Sequence, residues 1–366
     1  MRRGAAEVTL AERIHAEIAA AGGWLPFDRF MALALYEPGL GYYAGGRRKF
    51  GAMPSEGSDF VTAPEMSPLF GRTLARQLAQ AMEASGCREV MEFGAGSGAL
   101  AAQLIAELDA LGAGLARYRI VELSAELRQR QRERLAHWGE RVDWLDSLPD
   151  EIEAVVVGNE VLDAMPVQLL AFDGQAWRER GVVSAGEGFA FEDRDSMLRP
   201  PVDTGFVPGT VTEIHPQAKA FVGTLARTLR RGAAFFIDYG FPEAEYYHPQ
   251  RRGGTLMCHQ GHLADADPLV AVGDKDITAH VNFTGIALAG QDAGLVVLGY
   301  TSQANFLLNC GIADLLQGAS LGERAMAHRL LAEHEMGELF KVIGFAPLSA
   351  PFDALGFERG DRSHKL

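Results

Sequence analysis

Apolar residues recur along this chain with two different periods, and the switches between them mark out its elements. Thr9-Leu10-Ala11-Glu12 has the form of a capping box, and Leu10, Ile14 and Ile18 follow at helical spacing until Gly22-Gly23. Residues 27–35 predict a second short helix, stopped by Pro38-Gly39. Pro68 opens an amphipathic helix with Leu69, Leu74, Leu78 and Met82 on one face, ending near Gly86. Short apolar runs then predict strands at 90–93, 118–123, 141–148, 154–159 and 232–240, with helices at 99–111, 124–135 and 218–229 between them. The unbroken Val155-Val156-Val157 marks a strand buried on both faces, as in a parallel sheet. Two more strands, 296–300 and 340–345, flank a last helical span, so the pattern predicts an α/β protein with a seven-stranded sheet. Between Val167 and Phe191 the period becomes two, with turns at Asp173-Gly174 and Gly186-Glu187-Gly188: a β-meander, read as an insertion.

Two stretches follow neither period. From Gly39 to Glu65 the text runs through Gly-Leu-Gly-Tyr-Tyr, Gly-Gly-Arg-Arg-Lys and Gly-Ser-Asp-Phe-Val-Thr-Ala-Pro-Glu. A loop of that length in a compact protein is usually a lid or a binding segment. Phe50, Phe60 and the two tyrosines are anchors that a disordered linker rarely carries. The span 246–277 also reads as loop, with Arg251, Arg252, His259 and His262. Cys258, His259 and His262 lack a fourth ligand at motif spacing, so no metal site is expected.

Composition narrows the function classes. The formal net charge of −14 opposes a general grip on nucleic acid phosphates and favours a basic substrate. No apolar run approaches the ~20 residues needed to span a bilayer. Met1-Arg2-Arg3 is followed by Glu7, Glu12 and Glu17 rather than by a signal-type apolar core. A bacterial cytoplasm is expected, or the mitochondrial matrix if the source is eukaryotic. Cys87, Cys258 and Cys310 lie far apart, which argues for buried thiols and not a disulfide framework.

The chemistry centres on Glu92-Phe93-Gly94-Ala95-Gly96-Ser97-Gly98, a strand end and glycine turn before a helix. Alternate glycines let the backbone approach a ligand closely, and the new helix offers unpaired N–H groups and a positive dipole end. Gly94, Gly96 and Ala99 fit the dinucleotide pattern G-x-G-x-x-G/A. Glu92, Gly94, Gly96 and Gly98 equally fit the acid-x-G-x-G-x-G pattern of S-adenosylmethionine (SAM) methyltransferases. Glu92 favours the second, because a carboxylate there suits an amino acid ammonium and repels a pyrophosphate. Glu122, ending the next strand, stands where either cofactor's ribose hydroxyls would be held, or caps the following helix. The fourth strand stops abruptly at Asn159-Glu160, then Val161-Leu162-Asp163, and the fifth at Asp238. Ligands sit outside the carboxyl ends of such strands.

Taken in order, these segments resemble the MidA-like methyltransferases, a family that includes the mitochondrial complex I assembly factor dimethylating an arginine of a core subunit. The resemblance is carried by Pro38-Gly39-Leu40-Gly41-Tyr42-Tyr43, Asp59-Phe60-Val61-Thr62-Ala63-Pro64-Glu65, Phe70-Gly71, the glycine turn and Val121-Glu122-Leu123-Ser124. It continues through Asn159-Glu160-Val161-Leu162-Asp163-Ala164-Met165-Pro166, Glu213-Ile214-His215-Pro216, Ile237-Asp238-Tyr239-Gly240, 276–283 and 303–307. These motifs lie in loops and strand ends, where packing alone dictates little. Ala95, Ser97 and Met257-Cys258 depart from the family's pattern.

The resemblance implies a class I SAM methyltransferase fold: a Rossmann-like seven-stranded sheet with an N-terminal helical and loop lid, and with a β-meander and loop segments inserted as a second lobe. The corresponding division is 1–67 for the helical and lid segment, 68–166 for the first part of the SAM-binding core, 167–205 for the meander, and 206–240 for the continued core. A substrate-side segment, 241–285, and the core's C-terminal strands and helices, 286–366, complete it. For S-adenosyl-L-methionine we assign Glu92 to the amino group, Gly94, Gly96 and Gly98 to the backbone cradle, and Glu122 with Leu123 to the ribose end. Asp146 and Ser147 would reach the adenine, Asn159 would line the site, and the loop around Phe60 and Thr62 would close over it. The implied reaction moves a methyl group to an arginine of a protein, such as a respiratory complex I subunit. Glu160 is the first choice to orient the guanidinium and Asp163 the second. Asp238 and His280 complete the acceptor pocket or relay the released proton. The alternatives are a SAM-binding assembly chaperone, methylation of a small molecule, and an NAD-dependent oxidoreductase resting on Gly94, Gly96 and Ala99 alone.

Overall fold

The computed structural model describes residues 8–45, 62–203, 205–261 and 263–366; Phe60 and the rest of 46–61 lie outside them. The chain divides into two compact units. One comprises Met1–Arg47, Ala164–Gln217 and Tyr247–Ala279, and the other Arg48–Asp163, Ala218–Tyr246 and His280–Leu366.

The second unit holds the large sheet. Its strands are β1 (Glu89–Phe93), β2 (Arg117–Val121), β3 (Val142–Leu145), β4 (Ile152–Asn159), β5 (Leu229–Phe241), β6 (Leu295–Ser302) and β7 (Phe340–Pro347). They lie in the order β6-β7-β5-β4-β1-β2-β3, and a short strand, Val281–Asn282, pairs with the end of β5. All neighbours from β5 to β3 are parallel, and β7 runs antiparallel to both β5 and β6. That is the Rossmann-like methyltransferase arrangement. The order reverses between β1 and β4, the switch point at which open α/β sheets bind ligands. Val155, Val156 and Val157 are fully buried, as a strand covered on both faces requires. Register aligns the strand ends: Phe93 faces Gly158, and Asn159 faces Ile237, so Gly94, Glu160 and Asp238 emerge on one edge.

Local chemistry sets the helices that pack on this sheet. Pro68–Ser85 starts on Ser67, whose side chain accepts from the Leu69 N–H, and stops at Gly86 in the left-handed conformation (φ 69°). It buries Leu69, Leu74, Leu78 and Met82, the face its periodicity marks. At Gly71 the neighbouring helix comes so close that the Gly71 N–H donates to Gln103 Oε1 at 3.0 Å.

Among its described residues the first unit holds two antiparallel sheets. Residues 168–172, 177–185 and 188–195 form the expected meander, and the capping box of Thr9 and Glu12 is present at the first helix. Two differences from the sequence reading stand out. The strand Val211–Ile214 pairs with Gln168–Phe172, so the chain around it joins the inserted sheet and not the continued core expected over 206–240. The loop expected over 246–277 contains a three-stranded sheet, with Met257–Gln260 between Leu263–Asp265 and Asp276–Thr278. Strands of three or four residues are too short to display a period; their partners, not their own patterns, make them strands. Glu213, fully buried, ties these segments together by accepting from the Thr255 and Leu256 N–H groups at 2.8 and 2.9 Å.

Candidate active site

The glycine turn leaves β1 with Gly94, Gly96 and Gly98 all at positive φ (62°, 51° and 80°), a backbone path that favours glycine. Gly98 is the N-cap residue of the helix Ala99–Ala110 and makes no side-chain cap; the Ala99 N–H donates instead to Ser97 Oγ at 3.3 Å. A Cβ on Gly94 would stand 3.2 Å from Val161 Cγ2, tighter than ordinary packing allows. The turn is thus closely packed glycine backbone leading into a helix N-terminus, with the Gly94 and Gly98 N–H groups donating to the Val121 and Ala95 carbonyls at 3.0 and 2.7 Å, a setting that suits an anionic or zwitterionic ligand end.

Acids and amides surround it. Glu92 is buried on β1, and its Oε2 accepts from the Tyr118 hydroxyl at 2.6 Å. Burial pushes its carboxyl up to about 8, with the Glu122 charge adding to the effect. Glu122, just beyond β2, is buried and accepts from the Ser124 N–H at 2.9 Å and from Gln131 Nε2 at 3.1 Å. Burial raises its carboxyl above the ordinary range, against those hydrogen bonds. The next residue, Leu123, is 82% exposed, an apolar side chain standing free beside a polar turn. Asp146 and Ser147 are exposed beyond β3, and Asp146 pairs with Arg128. Thr62 occupies the N-cap position of the short helix Ala63–Met66 without a side-chain cap bond.

At the end of β4, Asn159 Nδ2 donates to Glu160 Oε1 at 2.8 Å, while Asn159 Oδ1 is buried with no hydrogen-bond partner. Such an orphaned acceptor on the strand next to the glycine turn fits a ligand bearing donors, and the ammonium and hydroxyls of SAM would supply them. Glu160 itself has φ 54°, one of only two non-glycine residues at positive φ among the described residues. Its N–H donates to the Ile237 carbonyl at 2.9 Å, and the next three amides converge on Asp238. Asp238 Oδ2 accepts from Val161, Leu162 and Asp163 N–H at 3.2, 2.9 and 3.2 Å, and Oδ1 from the Tyr239 N–H at 3.0 Å. Burial, with the charges of Asp163 and Glu160, pushes the Asp238 carboxyl well above the carboxylate range. The three acids that the sequence picks out therefore stand together. His280 lies flat against Phe241 (centroids 5.3 Å apart, 8° between planes) and edge-on to Tyr239 at 4.9 Å.

Two sets of contacts escaped the sequence reading. Ser97 donates to Glu65, and Arg134 Nη1 reaches Glu65 Oε1 at 3.0 Å and Ser97 Oγ at 2.8 Å, joining the turn to the short helix after residue 62. Gln131, fully buried, binds the turn, Glu122 and Trp144 at once. A signal for it exists: Gln131 sits one turn from Leu127 and Leu135 on the buried face of Ala125–Leu135, where the helical period calls for an apolar residue.

Residues 73–301 match the family described as "Putative S-adenosyl-L-methionine-dependent methyltransferase". A crystal structure from Burkholderia thailandensis bound to S-adenosyl-homocysteine is 54% identical, with a TM-score of 0.93 over 98% of this chain and 96% of that one. A native structure of a protein from the same organism is 52% identical, with a TM-score of 0.89 over the same shares. Among curated proteins, the mouse protein arginine methyltransferase NDUFAF7, mitochondrial, is 27% identical over 372 residues, which span 89% of this chain and 81% of its own. The Danio rerio protein is 26% identical over 332 residues, spanning 81% and 75%. These likenesses agree with the MidA-like resemblance and with S-adenosyl-L-methionine as cofactor, and they set aside the dinucleotide reading of the glycine turn. With its family match and its glycine turn at the switch point of a methyltransferase sheet, the chain belongs to the S-adenosyl-L-methionine-dependent methyltransferases.

Proposed function

We propose that this methyltransferase acts on an arginine side chain of a protein substrate, with Glu160 as the carboxylate that receives it. One observation carries the reading: Glu160 is held in a strained left-handed conformation at the end of β4, with Asp163 and Asp238 beside it. Strain of ~1–3 kcal/mol persists where the surroundings enforce it, and such sites are often functional. The curated relatives named protein arginine methyltransferase supply the acceptor class. The resemblance described above implies a respiratory complex I subunit as the partner.

SAM supplies an electrophilic methyl on a sulfonium. In this reading Gly94, Gly96, Gly98, Glu92, Glu122, Leu123 and Asn159 hold the cofactor, and Asp146 and Ser147 border its adenine end. Thr62 belongs to the neighbouring wall. An arginine arrives protonated, its lone pairs delocalised. Paired carboxylate oxygens orient the guanidinium and draw positive charge away from the attacking nitrogen. The nitrogen displaces the thioether in line; the N–C bond forms as the S–C bond breaks, leaving S-adenosyl-homocysteine and one proton to remove. Asp163 accepts that proton, or His280 carries it away. Asp238, with four amides on its two oxygens, acts as a positioning residue for the turn that bears Glu160 and Asp163.

The test is transfer from methyl-labelled SAM into a panel of arginine-bearing proteins and peptides, read by mass spectrometry of the modified residue, with Glu160→Gln in parallel. Label on arginine nitrogen, lost in Glu160→Gln while S-adenosyl-homocysteine still binds, is the expected outcome. Label on another residue or on a small molecule, or undiminished transfer by Glu160→Gln, would overturn it.

A further inference from the structure

The helix Ala125–Leu135 buries Leu127, Gln131 and Leu135, and Gln131 is the polar exception. A buried primary amide costs stability unless its donors and acceptor are all used. Gln131 uses them: Nε2 donates to the Gly96 carbonyl at 2.9 Å and to Glu122 Oε2 at 3.1 Å, and Oε1 accepts from Trp144 Nε1 at 2.9 Å. An indole N–H only donates, so Trp144 fixes which end of the amide faces it and turns both Nε2 hydrogens toward the cradle and the carboxylate. A Cβ on Gly98 would lie 3.4 Å from Gln131 Cγ, so the side chain also packs against the turn. One residue thereby links β3, the acid after β2 and the glycines after β1.

We infer that Gln131 is a positioning residue for the cofactor: through an amide oriented by Trp144, it fixes the Glu122 carboxylate relative to the Gly96 peptide. The inference rests on the reading that Glu122 holds the ribose. A carboxylate that must take a pair of hydroxyls binds best when its rotation is already set. Here Gln131 holds Oε2 and the Ser124 N–H holds Oε1, with the Leu123 N–H also on the carboxylate, so of its roughly four lone-pair sites one remains for a ligand. The charged groups around Glu122 are Glu92 on β1, backed by Tyr118, and Arg128, which donates to the Glu122 main-chain carbonyl at 2.7 Å. The Gln131 hydrogen bond lowers the Glu122 carboxyl against the rise that burial imposes. Without that bond the carboxyl protonates at higher pH, and affinity lost on acidification is lost earlier.

Calorimetric titration of the full chain with S-adenosyl-homocysteine between pH 5.5 and 8.5 tests this, using Gln131→Met, Trp144→Phe, their double variant and Glu122→Ala. Folding of each is checked by circular dichroism and thermal melting. Gln131→Met is expected to bind about tenfold more weakly, the order of one hydrogen bond to a charged group, with its acid limb moved to higher pH. Trp144→Phe should bind about threefold more weakly. The double variant should be no weaker than Gln131→Met, because Trp144 acts through the amide. Wild-type affinity and pH profile in Gln131→Met, or additive losses in the double variant, would overturn the role of Gln131. If Gln131→Met does not fold, wild-type affinity in Trp144→Phe overturns it. Wild-type affinity in Glu122→Ala instead overturns the ribose reading beneath it.

Discussion

Two residues concentrate the conflict between stability and chemistry in this protein. Glu160 carries a side chain where φ is 54°. Glycine adopts that backbone without strain, whereas alanine keeps the strain and loses the carboxylate. Glu160→Gly should therefore be more stable than Glu160→Ala by about 1 kcal/mol in denaturant titrations, with neither variant transferring methyl groups. Equal stabilities would mean that the surroundings do not resist the left-handed turn. Glu92 shows the same conflict electrostatically. Its buried carboxyl is raised to about 8, above the ordinary 4.5 of the unfolded chain. The folded state thus binds the extra proton, so stability is fully present below about pH 4.5 and is lost as pH rises toward 8. Glu92→Gln cannot ionise. Its melting temperature should change less between pH 5 and 8.5 than the parent's, and at pH 8.5 it should be the more stable protein by on the order of a few kcal/mol. It should also bind S-adenosyl-homocysteine more weakly. Parallel melting curves would show that Glu92 does not set the pH dependence of stability.

At the scale of elements, the site is assembled by groups on one strand or helix fixing the exit of another. Asp238 lies within β5, three residues before its end, but holds the turn after β4, and Arg128 links the exits of β2 and β3 through the Glu122 and Leu145 carbonyls. The helices beneath the turn need equally close contact. Gly71 on Pro68–Ser85 has no room for a Cβ because Gln103 lies against it, and Gln103 in turn donates to the Pro64 carbonyl at 2.7 Å. Gly71→Ala should cost ~1–3 kcal/mol by overpacking. It should also weaken cofactor binding, since displacing Gln103 disturbs the segment that carries Glu65. A variant as stable as the parent in urea would show that the helices can separate without loss.

At the scale of the whole molecule, every described residue assigned to the cofactor falls in the unit that holds the large sheet. Binding to the folded state alone stabilises by mass action, by about 2.7 kcal/mol at a hundredfold excess over Kd. Saturating S-adenosyl-homocysteine should therefore raise the melting temperature by several degrees in calorimetry. In hydrogen exchange, protection should grow most in the amides of the glycine turn and the ends of β1, β2 and β4. An unshifted melting curve would contradict binding at this turn. None of the described helices is long and apolar enough to cross a membrane.

What the sequence determined by itself is whatever a local pattern encodes. The apolar periods delimit β1 to β7 and their helices, the Val155–Val157 run marks a central strand, and alternate glycines mark the turn. Acids placed directly after apolar runs mark Glu122, Glu160 and Asp238, because a charge at the end of a buried strand has few reasons to be there other than a ligand or a cap. The tertiary structure decided what depends on partners distant in the chain. Val211–Ile214 becomes a strand because Gln168–Phe172 accepts it, and Met257–Gln260 because Asp276–Thr278 does. Gln131, Ser97, Glu65 and Arg134 acquire meaning only when the fold brings them to the glycine turn. A period records which face of an element is buried; it does not record which side chain on that face meets a backbone carbonyl dozens of residues away.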